Sequence, residues 1–159
     1  MKIAYYIGGF RPFHNGHVSM VMRALEDFDK VVIVVSSFSN SISIRCPFTG
    51  YQRASIISNW IINNDLKNRV SISHNEDYLT DDEWLDSLQT FAYQDYAFIV
   101  CDRENPEYID LIKSRYNVKT YECLSDISAT KIRNELFDDE YPQFAFIQDN
   151  VPSETISFL

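Results

Sequence analysis

Short apolar runs alternate along this chain with stretches whose apolar residues recur every three or four positions. The runs Lys2–Ile7, Val31–Ser36, Val70–Ser73, Tyr96–Cys101 and Val118–Glu122 are rich in Val, Ile and Tyr and read as strands. Val31–Val35 is apolar throughout, the pattern of a strand covered on both faces. Between the runs, His14–Phe28, Thr49–Asn63, Asp81–Tyr93 and Pro106–Arg115 read as helices. In the first of these, Val18, Val21, Met22 and Leu25 fall on one face at i, i+3, i+4 and i+7. Thr80 followed by Glu83 has the form of a capping box, and Asn105-Pro106 supplies an N-cap and the proline favoured at the first helical position. Strict alternation of the two element types predicts an α/β fold, a doubly wound parallel sheet with its ligands at the carboxyl ends of the strands. After Glu122 the strand pattern stops. A helical C-terminal segment follows, at Ser128–Phe137 and, with weaker patterning, near Tyr141–Gln148 and Pro152–Phe158. No linker divides the sequence, so residues 1–159 read as one domain.

The net charge of −9 argues against a general nucleic-acid or membrane-surface binder, since those need a basic field. A small phosphorylated ligand needs only a local basic cluster. No apolar run approaches the ~20 residues that span a membrane, and the N-terminus lacks the order of a signal peptide. Cys46, Cys101 and Cys123 are odd in number, widely spaced and without zinc-ligand spacing, which reads as reduced thiols in a cytoplasmic protein.

Charge and composition leave the chemistry to a few segments. Gly8–His17 holds three of the four glycines and two of the three histidines, where the first strand hands over to the first helix. Backbone N–H groups there lack helical partners and the macrodipole is positive, which favours an anion such as phosphate. His14 and His17 share a face of the first turn if the helix begins at or before His14. Gly8 and Gly9 are expected to release the chain from the strand and let backbone approach a ligand. Neither G-x-x-x-x-G-K-[ST] nor G-x-G-x-x-G occurs, so the P-loop and dinucleotide fingerprints both fail.

A second segment, Ile127–Arg133, offers Ser128 or Thr130 as N-cap and then Lys131 and Arg133. Cations in a first turn oppose the macrodipole by about 0.3–1 kcal/mol each. The helix after Thr80 instead opens with Asp81, Asp82 and Glu83. The reversed pattern makes sense if a polyphosphate sits at that terminus. A third segment, Arg45–Arg53, ends the polar loop after the second strand. Pro47 and Gly50 would shape it, with Arg45 and Arg53 placed to reach a phosphate, although either alone is more often a surface charge.

His14-Asn15-Gly16-His17 and Ile127–Arg133 together resemble the two signature motifs of the HIGH-superfamily nucleotidylyltransferases. More narrowly, Gly8-x-Phe10-x-Pro12-Phe13-His14-x-Gly16-His17 and Pro47-Phe48-Thr49-x-x-x-Arg53 resemble the nicotinamide-mononucleotide adenylyltransferases of archaea, and the adenylyltransferase half of bacterial enzymes fused to a Nudix hydrolase. The resemblance runs from the first motif to Val151-Pro152. It implies a Rossmann-like nucleotidylyltransferase fold and transfer of AMP from ATP to nicotinamide mononucleotide, giving NAD and pyrophosphate. Mg²⁺ would be held mainly by phosphates and water, with no metal ligand from the chain. By motif match, His14, His17 and Arg133 would be catalytic. Gly8, Gly9, Phe10, Arg11, Gly16, Ser128, Thr130 and Lys131 would bind ATP. Phe13, Arg45, Phe48, Arg53 and Trp84 would bind the nicotinamide nucleotide, with Trp84 stacked on the ring. No nucleic-acid or membrane partner is implied, and a homo-oligomer is compatible with it.

The chain departs from the pattern at several points. Many relatives carry Arg where Gly9 stands and Gln where Arg11 stands, and often Asn in place of Cys46; the Cys101-Asp102-Arg103 turn also differs. Three other readings stay open at this point: a nicotinic acid acceptor, a phosphopantetheine adenylyltransferase, or a sensor that binds NAD or ATP without turnover. Thr130–Arg133 and Pro47–Thr49 fit the nicotinamide branch better than the phosphopantetheine one.

Overall fold

Alternate residues of the first strand serve two different cores, which places that strand at the centre of the sheet. In the computed structural model, which describes residues 1–93, 95–138, 140 and 144–159, β1 is Lys2–Gly8. Its Ala4 and Tyr6 pack into one apolar cluster and its Tyr5 into another, beside Ile3 and Ile7. β2 (Lys30–Val35) and β4 (Asp95–Cys101) flank β1, while β3 (Val70–His74) and β5 (Val118–Tyr121) form the edges. The order is β3-β2-β1-β4-β5 and every pairing is parallel. Val31, Ile33, Val34 and Val35 of β2 are all buried, as their uninterrupted run predicts.

Helices cover both faces. α1 (Asn15–Asp27) and α2 (Gly50–Asn63) bury Val21, Ala24, Leu25, Ile56, Ile57 and Trp60 in the first cluster. α3 (Asp81–Leu88) and α4 (Pro106–Lys113) bury Leu85, Leu88, Ile109 and Ile112 in the second. Local chemistry starts each helix: Thr80 and Glu83 cap each other, as do Thr49 and Gln52, and Asn105 accepts from the Glu107 amide. The predicted Asp81–Tyr93 helix stops short, because a tighter 3₁₀ turn at Gln89–Phe91 brings the buried Phe91 ring onto Tyr5 at 5.3 Å.

The C-terminal segment is helical as expected, with α5 (Ala129–Leu136), α6 (Phe144–Asn150) and α7 (Ser153–Ile156). Residues 141–143 of the Tyr141–Gln148 prediction lie outside the described residues. Ile132, Ile147 and Val151 form a small core there. This segment also braces the start of α1. The fully buried Thr155 hydroxyl donates to the Phe13 carbonyl at 2.8 Å, and the Asn15 amide donates to the Asp149 carbonyl at 3.1 Å. Among the described residues no helix is long and apolar enough to cross a membrane. The chain crosses from one face of the sheet to the other between β1 and β4, and ligands of such sheets bind at that switch point.

Candidate active site

The chain leaves β1 through a turn whose Phe10 has a φ of 50°. That conformation costs a bulky residue about 1–2 kcal/mol, and burial of the ring, 2 % exposed, offsets it. No glycine has a positive φ. What Gly9 supplies is room, since a Cβ there would lie 3.0 Å from Nε and 3.4 Å from Cζ of Arg11. The arginine side chain therefore folds back over Gly9, and the expected backbone freedom is replaced by space for a neighbouring side chain.

His14 is the N-cap of α1 rather than a residue of its first turn. Its Nδ1 accepts from the Gly16 amide at 3.1 Å, and Nδ1 of His17 accepts from the His14 amide at 3.1 Å. The two imidazoles thus form a reciprocal capping box, stacked with centroids 3.6 Å apart. Gly16 permits the stack, because a Cβ there would sit 2.9 Å from His14 Cε1. With each Nδ1 accepting, the proton of each neutral ring belongs on Nε2, and both rings keep an Nε2–H free to donate.

Both rings are neutral at pH 7. Burial pushes the His14 pKa down to about 4, and burial together with the adjacent His14 pushes His17 well below its ordinary value. An unfolded chain would titrate these rings near pH 6.5 and so bind more protons than the folded one below that pH. Stability is therefore full above about pH 6.5 and falls as pH drops toward 4, by on the order of 3 kcal/mol from His14 alone. Urea midpoints at pH 7, 5 and 4 check this. The decline between pH 6.5 and 5 should vanish in a double His14→Asn, His17→Asn variant; its persistence would assign the effect elsewhere.

Between this turn and α5 lies a cavity of about 570 Å³. Among the described residues, five cations line it in a chain of net charge −9: Arg11, Arg45, Arg103, Lys131 and Arg133. Arg133 donates to the Arg11 carbonyl at 2.6 Å and to Thr130 Oγ1 at 3.2 Å, joining α5 to the β1 turn. Its pKa is pushed down by burial first and then by the Arg11 and Arg45 guanidiniums. Cations crowded against one another make a local field that favours a polyanion. Ser128 caps α5 by accepting from the Lys131 amide at 3.2 Å. Only Lys131 of the two predicted first-turn cations lies there, with its Nζ 2.7 Å from the Asp126 carbonyl oxygen. Arg133 stands in the second turn, where the macrodipole is felt less. An Arg103–Asp126 ion pair at 2.7 Å closes one rim.

A smaller cavity of about 330 Å³ lies on the other side of Gly9, lined by Ile7, Gly8, Gly9, Ser36, Asp77, Trp84, Glu104 and Tyr108. Gly9 and Glu104 line both cavities. The partly buried Trp84 faces Tyr108 with ring centroids 5.7 Å apart.

Residues 5–135, from β1 to α5, match the family described as cytidylyltransferase-like. The chain belongs to the cytidylyltransferase-like family. Nicotinamide-nucleotide adenylyltransferase of Haloarcula marismortui is 27 % identical over 158 residues, covering 98 % of this chain and 79 % of that protein. The protein of the same name from Picrophilus torridus is 29 % identical over 144 residues, covering 86 % of this chain and 80 % of its own. A bifunctional NMN adenylyltransferase/ADP ribose pyrophosphatase from Francisella tularensis has the same fold, with a TM-score of 0.77 at 23 % identity. That likeness takes in 88 % of this chain but 43 % of the larger protein. A second structure of the Francisella enzyme, complexed with AMP and a manganese ion, aligns with a TM-score of 0.70 at 21 % identity over 98 % of this chain and 51 % of its own.

In this cytidylyltransferase-like chain the motif residues divide into those that line the cavities and those that support them. His14, His17, Gly9, Phe10, Arg11, Gly16, Ser128, Thr130, Lys131, Arg133 and Arg45 line the cationic cavity. Gly8 lines the smaller cavity with Trp84, and Arg45 lines the larger one with the other cations. Three others, Phe13, Phe48 and Arg53, line neither cavity. Phe13 is fully buried between His17 and Trp60 at 5.6 and 5.3 Å, and Phe48 is 7 % exposed. Arg53 is fully buried, and its guanidinium donates to the carbonyls of Gly9 and Ser36 at 2.8 Å each and of Ser37 at 2.9 Å. Carbonyls that follow the ends of two strands converge there and engage both terminal nitrogens of the guanidinium, while its buried Nε has no partner. Glu104, Tyr108, Asp77 and Asp126 went unread in the sequence, and Arg103 entered it only within a turn that departs from the family pattern. The rule that ligands bind where parallel sheets switch faces would have singled out the turn after β4, which contributes Arg103 and Glu104.

Proposed function

We propose that this chain transfers the adenylyl group of ATP to the phosphate of nicotinamide mononucleotide, forming NAD and releasing pyrophosphate. The observation that carries this reading is the meeting of two unlike cavities at Gly9 and Glu104, one cationic and one aromatic. The curated relatives of that name support it. In the reaction an oxygen of the acceptor phosphate forms a bond to the α-phosphorus as the bond to the pyrophosphate oxygen breaks. The acceptor is already ionised at neutral pH, so no proton is removed and no general base is required; positioning and charge stabilisation supply the rate.

The side chains fit that demand. Neutral His14 and His17 donate Nε2–H bonds to the charge at the α-phosphate, and Arg133, Arg11, Lys131 and Ser128 hold the β- and γ-phosphates. Arg11, folded over Gly9, presents its guanidinium where an arginine at residue 9 would begin. Among the described residues no group of three His, Cys, Asp or Glu could hold a metal ion. A Mg²⁺ that arrives bound to the triphosphate would be held there by phosphates and water and would neutralise charge. The free thiols Cys46, Cys101 and Cys123 agree with a cytoplasmic enzyme.

The decisive experiment offers the protein ATP, Mg²⁺ and one acceptor at a time, and measures product and pyrophosphate. NAD is expected from nicotinamide mononucleotide. Product from phosphopantetheine without NAD, or tight NAD binding with no pyrophosphate released, would replace the reading. Trp84→Ala should raise KM for the nicotinamide substrate at least tenfold and leave KM for ATP within about twofold, as loss of a stacking partner worth ~1–3 kcal/mol predicts. Equal effects on both substrates would return Trp84 to the core.

A further inference from the structure

The two cavities beside the β1 turn differ in charge: the larger mixes five cations with Asp126 and the shared Glu104, and the smaller is acidic. The larger cavity carries every cation of the site among the described residues. The smaller one carries two charged side chains, Asp77 and Glu104, both acidic. Asp77 is held in place, accepting from the Ser37 hydroxyl at 2.6 Å and from the Asn40 amide at 2.7 Å. Glu104 stands exposed at the lip common to the two cavities; burial first, and then the charge of Glu104, raises the pKa of the Tyr6 and Tyr108 hydroxyls. The rings of Trp84 and Tyr108 complete the wall.

We infer that the smaller cavity selects its ligand by charge: Glu104 and Asp77 favour an N-ribosyl pyridinium with a neutral carboxamide over the same ring with a carboxylate. The inference deepens the adenylyl-transfer reading and rests on it. An N-ribosylated pyridine carries a permanent positive charge, which suits carboxylates and aromatic faces alike. A ring carboxylate cancels that charge and sets an anion against two others. A cavity built to choose the carboxylate would offer a cation to it, and the lining holds none among the described residues. The same argument disfavours an uncharged acceptor chain such as phosphopantetheine.

The expected preference for nicotinamide over nicotinic acid mononucleotide is about 10- to 100-fold in kcat/KM, the scale of one like-charge contact at the rim of a site. The test compares both acceptors with the full chain and with Glu104→Gln and Asp77→Asn, at saturating ATP and Mg²⁺. Glu104→Gln should narrow the preference at least fivefold, mainly through KM for nicotinamide mononucleotide, with KM for ATP within twofold. Thermal melting confirms that each variant is folded, and exposed Glu104 is the safer of the two. A wild-type ratio near one, or a ratio unchanged by Glu104→Gln, would overturn the inference. Calorimetric Kd values for the two mononucleotides make the same comparison without turnover. If neither acceptor yields product, the adenylyl-transfer reading fails, and equal Kd values would separately sink the charge selection.

Discussion

Replacing His17 with alanine is expected to lower kcat for adenylyl transfer by roughly 10²- to 10³-fold, the usual effect of losing one fixed donor to developing charge. The ring has two separable tasks, because its Nδ1 accepts from the His14 amide while its Nε2–H is left for a ligand. Asparagine places a polar group near the Nδ1 position, and glutamine places one near Nε2. His17→Asn should therefore keep near-normal stability with a large loss of kcat. His17→Gln should lose stability by about 1 kcal/mol, the worth of one cap, yet recover part of the rate. If both variants lose stability and rate together, the ring acts only by capping α1. An unchanged kcat in His17→Ala removes it from the reaction altogether.

Arg53→Met is expected to destabilise the fold by about 3–5 kcal/mol, since it leaves up to three buried carbonyls without their charge-assisted partner. Those carbonyls belong to Gly9, Ser36 and Ser37, so the loss falls on the turn that carries the site. Arg53→Lys keeps the charge but not the fork, and one ammonium cannot reproduce three bonds in the same directions. It should recover less than half of the lost stability. Urea unfolding measures both variants. A change under 1 kcal/mol would mean that water or rearranged backbone serves these carbonyls equally well. For the folded fraction of either variant, KM for ATP should move less than kcat, because Arg53 holds the turn and does not line the phosphate cavity.

The alternation of β and α, the caps at Thr80, Asn105 and Ser128, and the doubly wound order were all legible because each depends on residues within a few positions of one another. The histidine pair and the cation cluster were legible as well, since motif spacing fixes them at two strand-to-helix turns. Arg53 was not. A buried arginine and a phosphate-binding arginine look alike in sequence, and only the convergence of carbonyls from residues 9, 36 and 37 separates them. The burial of Phe13 and Phe48 away from both cavities was hidden for a related reason, because aromatic residues beside a motif serve equally as lining or as support. The Thr155 hydroxyl reaches Phe13 across 142 positions, a contact that no local pattern announces. Glu104 was missed because a single acid after a strand carries meaning only once β4 is known to lie beside β1.

The reciprocal bonds between the two imidazoles have one more consequence. Rings that are already neutral, with both tautomers fixed, neither give up a proton nor take one as bonds are exchanged at phosphorus. The protein then meets reactants and products in the same state of ionisation, with the same two donors presented to either. Neither ring then has to be reset by a proton between one turnover and the next. Which way the reaction runs is left to the supply of dinucleotide and pyrophosphate around the site.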